Sequence, residues 1–219
     1  MCFSAEADVL AGVVVTAVGV DALRQVHDPG ERLLGALPVL LGAHLLVEAA
    51  VWWGLNGDIA ASTGRLAMWI YLVFAVCVLP VLVPLAVRAA EPDAGRRRAM
   101  AWLGVTGALL AAVYLLGLVQ GPVTVRIEGY HLAYQLNMDH GGLLAAVYAL
   151  VACAPPLLSS HRRVAGFGVA NLLAVLVLAW VESSALTSLW CAWAAVTSAA
   201  IAAHLRREHR PPEVRVSVT

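Results

Sequence analysis

The chain has 219 residues, of which 61% are hydrophobic and only 13% are charged. Soluble domains carry about 25% charged residues, so this composition excludes an ordinary soluble protein and favours an integral membrane protein. Fourteen arginines balance fourteen acidic residues, which leaves no net positive charge for binding nucleic acid. The sequence contains no lysine, and this excludes chemistry that depends on a lysine Schiff base.

Long apolar runs predict the membrane spans, since a spanning helix needs about 20 mostly apolar residues. Seven such runs lie at 4–25, 33–55, 66–89, 99–120, 141–159, 164–182 and 186–205. The chain is therefore expected to be an all-α integral membrane protein, with a seven-helix transmembrane domain over 1–205 and a basic tail over 206–219. Pro80 and Pro84 in the third run predict a kink, because each removes a backbone donor.

The arginines predict the orientation of these spans. Twelve of them fall in the connections after spans 1, 3 and 5 and in the tail, and only Arg65 and Arg126 fall on the opposite side. Arginine-rich loops stay in the cytoplasm, so the N-terminus is expected outside the cytoplasm and the C-terminus inside it. This alternation requires an odd number of spans, and it therefore supports seven.

The connection between spans 4 and 5 has the pattern of a β-hairpin. Apolar and polar residues alternate from Val123 to Glu128, Gly129 follows, and an alternating stretch continues to Leu136. This period of two predicts a short extracytoplasmic hairpin over 122–137 that packs on the helix ends.

The second span carries the most informative polar residues. His44, Glu48 and Trp52 recur at intervals of four and therefore share one helix face. His44 lies about 18 Å along the axis from Arg32, near the middle of a bilayer. Intramembrane ionisable groups are expensive and usually mark a site or a pathway, although an interhelical hydrogen bond that fixes the packing is the alternative.

Further ionisable and thiol groups are expected on the same extracytoplasmic side. The candidate metal ligands there are Cys2, Glu6, His131, His140 and Cys191. Cys2 and Cys191 could form a disulfide, bind a soft metal ion or be unrelated free thiols, and the sequence leaves these alternatives open. Trp52 and Trp190 fit either an interfacial aromatic belt or the wall of a ligand pocket.

The sequence resembles a family of uncharacterised bacterial multispanning membrane proteins whose members begin MCFSA. The resemblance rests on Met1–Ala5, on Glu48 with Trp52 in an E-x-x-x-W pattern, and on Ser188 with Trp190-Cys191 in an S-x-W-C pattern. It implies a multi-pass protein of the bacterial inner membrane and brings no known activity. At position 44 this chain has His where the family pattern implies Gln.

Three functions remain open on the sequence alone. The first is binding of a transition metal or another small ligand on the extracytoplasmic side, in a redox or sensing role. The second is an intramembrane enzyme similar to the terpene cyclases, with Glu48 as general acid and Glu182 or Asp8 as partner carboxylate, acting on a lipid or isoprenoid. The third is a proton-coupled transporter that uses His44 and Glu48. In each case the expected partners are membrane lipids and a small apolar or metal ligand.

Overall fold

The computed structural model describes residues 4–129, 131–136 and 138–181, and this part of the chain is mostly helical. Its α-helices are α1 (Ala5–Arg24), α2 (Arg32–Asn56), α3 (Ala61–Val73), α4 (Leu79–Ala90), α5 (Ala94–Gln120), α6 (Gly141–Leu158) and α7 (Arg162–Val181). A 3-10 turn at Pro29–Glu31 precedes α2, and a π-helical segment at Phe74–Val78 joins α3 to α4. The strands are β1 (Val123–Glu128) and β2 (His131–Leu136).

Four helices in the described part are long and apolar enough to cross a membrane. They are Pro29–Asn56, Ala61–Ala90, Ala94–Gln120 and Gly141–Leu158. These correspond to four of the predicted spans, so the chain has the features of a membrane protein. The predicted spans 4–25 and 164–182 coincide with helices α1 and α7, which do not count among these four. The span predicted at 186–205 lies outside the described residues, and the seven-span arrangement stays a prediction.

Helix α5 begins five residues earlier than the hydropathy pattern predicted. The carboxylate of Asp93 accepts a hydrogen bond from the backbone N–H of Arg96 at 2.7 Å and caps the first turn. An aspartate at this position satisfies a donor that the helix cannot satisfy itself. The three arginines at 96–98 therefore belong to the helix, although the hydropathy pattern predicts a loop there because of their charge.

The predicted β-hairpin is present. β1 and β2 pair antiparallel from Val123 opposite Leu136 to Glu128 opposite His131. Gly129 in the turn has a φ of 59°, a left-handed conformation that glycine adopts without strain. Leu132 and Ala133 of β2 are buried, so the hairpin packs against the helix ends as expected.

Two apolar cores lie at opposite ends of the bundle. The hairpin end, where α1 begins and α2 ends, has a core that includes Ala5, Ala49, Trp52, Tyr71 and Leu132. The arginine end, where α1 ends and α5 and α7 begin, has a core of Ala22, Leu34, Leu37, Ala86, Val87, Met100 and Val164. Eight of the ten arginines in the described part lie at or next to the helix termini of this second end.

Helices α1 and α2 approach closely through small residues. A Cβ atom on Gly42 would lie 2.6 Å from the backbone N of Thr16, and one on Gly12 would lie 3.0 Å from the carbonyl O of Gly42. Because backbone cannot move aside as a flexible side chain can, these positions admit no larger residue without separating the helices.

We expect Gly42→Ala to destabilise the protein by about 2 kcal/mol, which corresponds to a fall of about 4–8 °C in the midpoint of thermal unfolding. The matched control is Gly166→Ala in α7, where an added Cβ would meet nothing within 4 Å. That change is expected to be neutral or to stabilise by up to about 1 kcal/mol through helix propensity. Thermal unfolding of the two detergent-purified variants beside wild type measures the difference, and equal midpoints would contradict the close helix contact.

Candidate functional site

The polar face predicted on α2 is buried in the bundle. His44 is 8% exposed, Glu48 is fully buried and Trp52 is 5% exposed. The indole N–H of Trp52 is also buried and has no hydrogen-bond partner among the described residues. This face therefore carries an imidazole, a carboxyl group and an indole donor inside the hairpin half of the protein.

A second carboxyl group, that of Asp8 on α1, is 1% exposed. The close contacts between the antiparallel helices α1 and α2 show which residues lie at the same depth in the bundle. Gly19 faces Pro38 and Val39, and Gly12 faces Gly42 and Leu46. Continued by one turn towards the hairpin end, this register places Asp8 level with Glu48. Two neighbouring helices thus each bury a carboxyl group at the same depth.

The sequence pattern of α1 indicates that Asp8 is buried. The buried residues of α1 are Ala5, Asp8, Gly12, Val15, Gly19 and Ala22. Their spacing alternates between three and four, which is the pattern of a helix packing face. Asp8 lies on this face, whereas Glu6 lies off it and is exposed. An acid within a stripe of small packing residues is a stronger indication of a buried site than an acid near a helix start.

A column of three aromatic rings connects this site with the hairpin. The rings of His44 and Tyr71 are stacked with centroids 4.1 Å apart, and Tyr71 is stacked on Tyr134 of β2 at 4.8 Å. Phe74 packs against the His44 ring, with the two centroids 4.7 Å apart. The hairpin is therefore joined through Tyr71 to the polar face of α2.

The π-helical segment lies directly beside this column. Its first residue is Phe74, and the hydroxyl of Tyr148 on α6 donates a hydrogen bond of 2.7 Å to the carbonyl O of Ala75. A π-turn and the prolines that follow it, Pro80 and Pro84, leave carbonyl groups without their usual intrahelical donors. One of these carbonyls receives its hydrogen bond from a neighbouring helix instead.

The residues predicted as metal ligands are only partly within the described chain. Glu6 and His140 are exposed, and His131 is half-buried. His140 has a φ of 60° and is the N-cap residue directly before α6. Among the described residues, no three His, Cys, Asp or Glu side chains converge to hold a metal ion. Cys2, Cys191, Glu182 and Trp190 lie outside the described residues.

A second buried polar cluster lies at the arginine end, and its centre is Glu91. This side chain is 2% exposed and follows α4 directly. One carboxylate oxygen accepts hydrogen bonds from the Ser159 hydroxyl at 3.2 Å and from the Ser160 backbone N–H at 2.8 Å. The other accepts from the Ser160 hydroxyl and, at 3.2 Å, from the Asp93 N–H.

We call this cluster the Glu91 latch, because it joins the α4–α5 connection to the α6–α7 connection. A ring nitrogen of His161 lies 3.1 Å from the carbonyl O of Ala90, and a guanidinium N–H of Arg96 donates to the carbonyl O of Leu158 at 2.9 Å. Burial alone would raise the pKa of Glu91, but the donors from Ser160, Asp93 and Ser159 outweigh it and hold that pKa below its ordinary value. The carboxylate is thus the favoured form within the latch.

Comparison with known proteins gives a family and no activity. The family model described as a family of unknown function, DUF6629, matches residues 1–216. No curated protein and no solved structure matches the chain. Since the match spans almost the whole sequence, this chain belongs to the family of unknown function DUF6629.

Proposed function

We propose that the chain is a multi-pass protein of the bacterial inner membrane, with its hairpin end outside the cytoplasm. The arginine distribution supports this orientation, since eight arginines of the described part belong to the arginine end and two, Arg65 and Arg126, to the hairpin end. Loops rich in arginine remain on the cytoplasmic side. In this orientation Glu48 lies in the half of the protein that is nearer the extracytoplasmic side.

We further propose that this site binds a small cation, specifically a transition metal ion, in a sensing or redox role. The observation that carries the proposal is the complete burial of two carboxyl groups, those of Asp8 and Glu48, level with each other on two packed helices. Carboxyl oxygens are common metal ligands, and ionisable groups within a membrane usually mark a site or a pathway. His44 lies one turn from Glu48 on the same face, but it does not converge with the two carboxyl groups into a set of three ligands, so the proposed ligands of the described part are Asp8 and Glu48.

The proposed metal site takes further ligands from outside the described residues. Cys2 is six residues before Asp8, and Cys191 belongs to the last predicted span. In the proposed topology both thiols are extracytoplasmic, and thiolates select soft metal ions over magnesium and calcium. Glu6 and His140, which are exposed, and the half-buried His131 are then proposed to line the entry route.

Elemental analysis of protein purified in detergent, without added metal, tests the proposal. We expect about one transition metal ion per wild-type chain and a loss of at least about tenfold in Glu48→Gln and in Cys2→Ser, because second-shell changes alone already cost metal sites about 10–100-fold. Glu128→Gln is the matched control, since Glu128 is an exposed hairpin carboxylate outside the site. Metal-free wild-type protein, or equal metal in all four samples, would contradict a metal site at Glu48.

An intramembrane enzyme is the second candidate, and the aromatic surroundings of Glu48 favour it. Trp52 on the same face and the ring column through Tyr71 provide aromatic faces that stabilise a cationic intermediate. Glu48 is the proposed general acid, with Asp8 or Glu182 as its partner. Turnover of an isoprenoid lipid that survives chelation but is abolished in Glu48→Gln would favour this function over metal binding, and turnover unchanged in that variant would exclude it.

A further inference from the structure

The arginine end carries a concentrated positive charge at the level where helices leave the apolar region. Five arginines belong to the first turns of α5 and α7, namely Arg96, Arg97, Arg98, Arg162 and Arg163. The Glu91 latch ties these two connections together, as Arg96 donates to the carbonyl O of Leu158. The starts of α5 and α7, which carry these arginines, are therefore held together by the latch.

The acidic residues of the same connections do not neutralise this positive charge. Glu91 is buried, and both of its oxygens accept hydrogen bonds from the latch. Asp93 is engaged in capping α5 through the N–H of Arg96. In these two connections five arginines thus outnumber two carboxylates, both of which already accept hydrogen bonds, so the connections keep a net positive charge.

The five arginines differ in whether their guanidinium groups already take part in interactions within the protein. Arg96 is bound to Leu158, and Arg97 donates to the carbonyl O atoms of Glu91 and Pro92 at 3.3 and 3.0 Å. Arg163 has an interaction of its own. The side chains of Arg98 and Arg162 are exposed, and within the described ranges neither guanidinium group makes a hydrogen bond or ion pair. These two guanidinium groups remain available to an external anion.

The helix face below Arg98 indicates where that anion resides. Trp102, Val105 and Leu109 follow Arg98 at helical spacing on one face of α5, and they are 68%, 49% and 66% exposed. The buried residues of α5, such as Met100, Gly104 and Gly107, lie on the opposite face. Along this face the arginine suits the headgroup region of a lipid, the indole one turn away suits the interface, and the exposed aliphatic residues beyond it suit the acyl chains.

We propose that the arginine end binds anionic phospholipids, with Arg98 and Arg162 contacting headgroup phosphates and the Trp102–Leu109 face of α5 contacting acyl chains. The ligand chemistry is a phosphate diester, which guanidinium groups recognise through paired N–H donors. This proposal rests on the proposed membrane placement and not on the proposed metal site. A failure of lipid binding would leave the metal site unaffected, and a failure of metal binding would leave the lipid surface unaffected.

Lipid binding to the full chain in detergent micelles, measured by native mass spectrometry, tests this surface. Dioleoylphosphatidylglycerol is the probe, and dioleoylphosphatidylcholine is the zwitterionic comparison. We expect tighter binding of the anionic lipid and a loss of about 30-fold in the double variant Arg98→Gln/Arg162→Gln, at about 1 kcal/mol for each arginine. Arg98→Lys/Arg162→Lys keeps the charge and is expected to retain most of the preference.

Two controls decide whether the effect is specific to this surface. Arg65→Gln/Arg126→Gln removes the same charge from the hairpin end and is expected to leave the lipid preference unchanged. Inorganic phosphate and glycerol 3-phosphate are expected not to bind, because neither contacts the α5 face. Equal losses in the two glutamine variants, no preference for the anionic lipid, or saturation by inorganic phosphate would each overturn the proposal.

Discussion

Tyr71→Ala is expected to lower the midpoint of thermal unfolding by about 10 °C. Tyr71 is 1% exposed and is the middle ring of the column, stacked on His44 and on Tyr134. Truncating a buried aromatic residue costs about 3–5 kcal/mol, since contacts are lost and a cavity remains, and each kcal/mol shifts the midpoint by about 2–4 °C in a protein of this size. Scanning calorimetry of detergent-purified protein measures the shift.

The same variant is expected to loosen the hairpin specifically. Tyr134 belongs to β2 and loses its stacking partner, so backbone amides of β1 and β2 should exchange with deuterium faster than in wild type. The control is Ile70→Ala, since Ile70 precedes Tyr71 on α3 but is 50% exposed. Hairpin exchange that is unchanged in Tyr71→Ala, or accelerated equally in Ile70→Ala, would contradict the column as the link between the hairpin and α2.

Glu91→Gln is expected to lower stability by about 3 kcal/mol at neutral pH. The Ser159 hydroxyl, the Ser160 hydroxyl and N–H, and the Asp93 N–H all donate to this carboxylate. Hydrogen bonds to a charged group contribute about 1.5–3 kcal/mol each, and an amide keeps only one of the two acceptor oxygens. The thermal midpoint of Glu91→Gln beside that of Glu128→Gln, an exposed carboxylate, measures the loss.

The pH dependence of this difference follows from the direction of the pKa shift. Glu91 has a folded-state pKa below its ordinary value of 4.5, so its contribution is complete above that value and is lost as the pH falls through the lower folded-state pKa. The gap between wild type and Glu91→Gln should therefore be widest near pH 7 and narrow below about pH 4. A gap that is constant across this range would show that the charged form of Glu91 does not stabilise the latch.

The sequence predicts the elements of this fold well because each depends on local physics. Apolar length predicts spanning helices such as 33–55, and alternation predicts the hairpin, with Gly129 in its turn. The start of α5 was misplaced since hydropathy treats Arg96 as a loop residue, whereas the Asp93 cap includes it in the helix.

The long-range features were not predictable from local patterns. The stacking of Tyr71 on Tyr134 and the bond of Ser159 to Glu91, 68 residues apart in sequence, depend on how helices are arranged in space. Predicting that Asp8 and Glu48 lie at the same depth likewise requires the register of α1 against α2, and the glycine contacts between the two helices set that register. Periodicity identified the polar face of α2 but could not identify what faces it.

The most direct test of the account is reloading of metal-stripped protein. Purified wild type, Asp8→Asn, Glu48→Gln and the control Glu128→Gln are treated with chelator, dialysed and titrated with zinc at pH 7. We expect uptake of about one ion per chain by wild type and by Glu128→Gln, and uptake reduced at least about tenfold in both site variants. Equal uptake by all four proteins, or none by wild type, would contradict a cation site formed by Asp8 and Glu48.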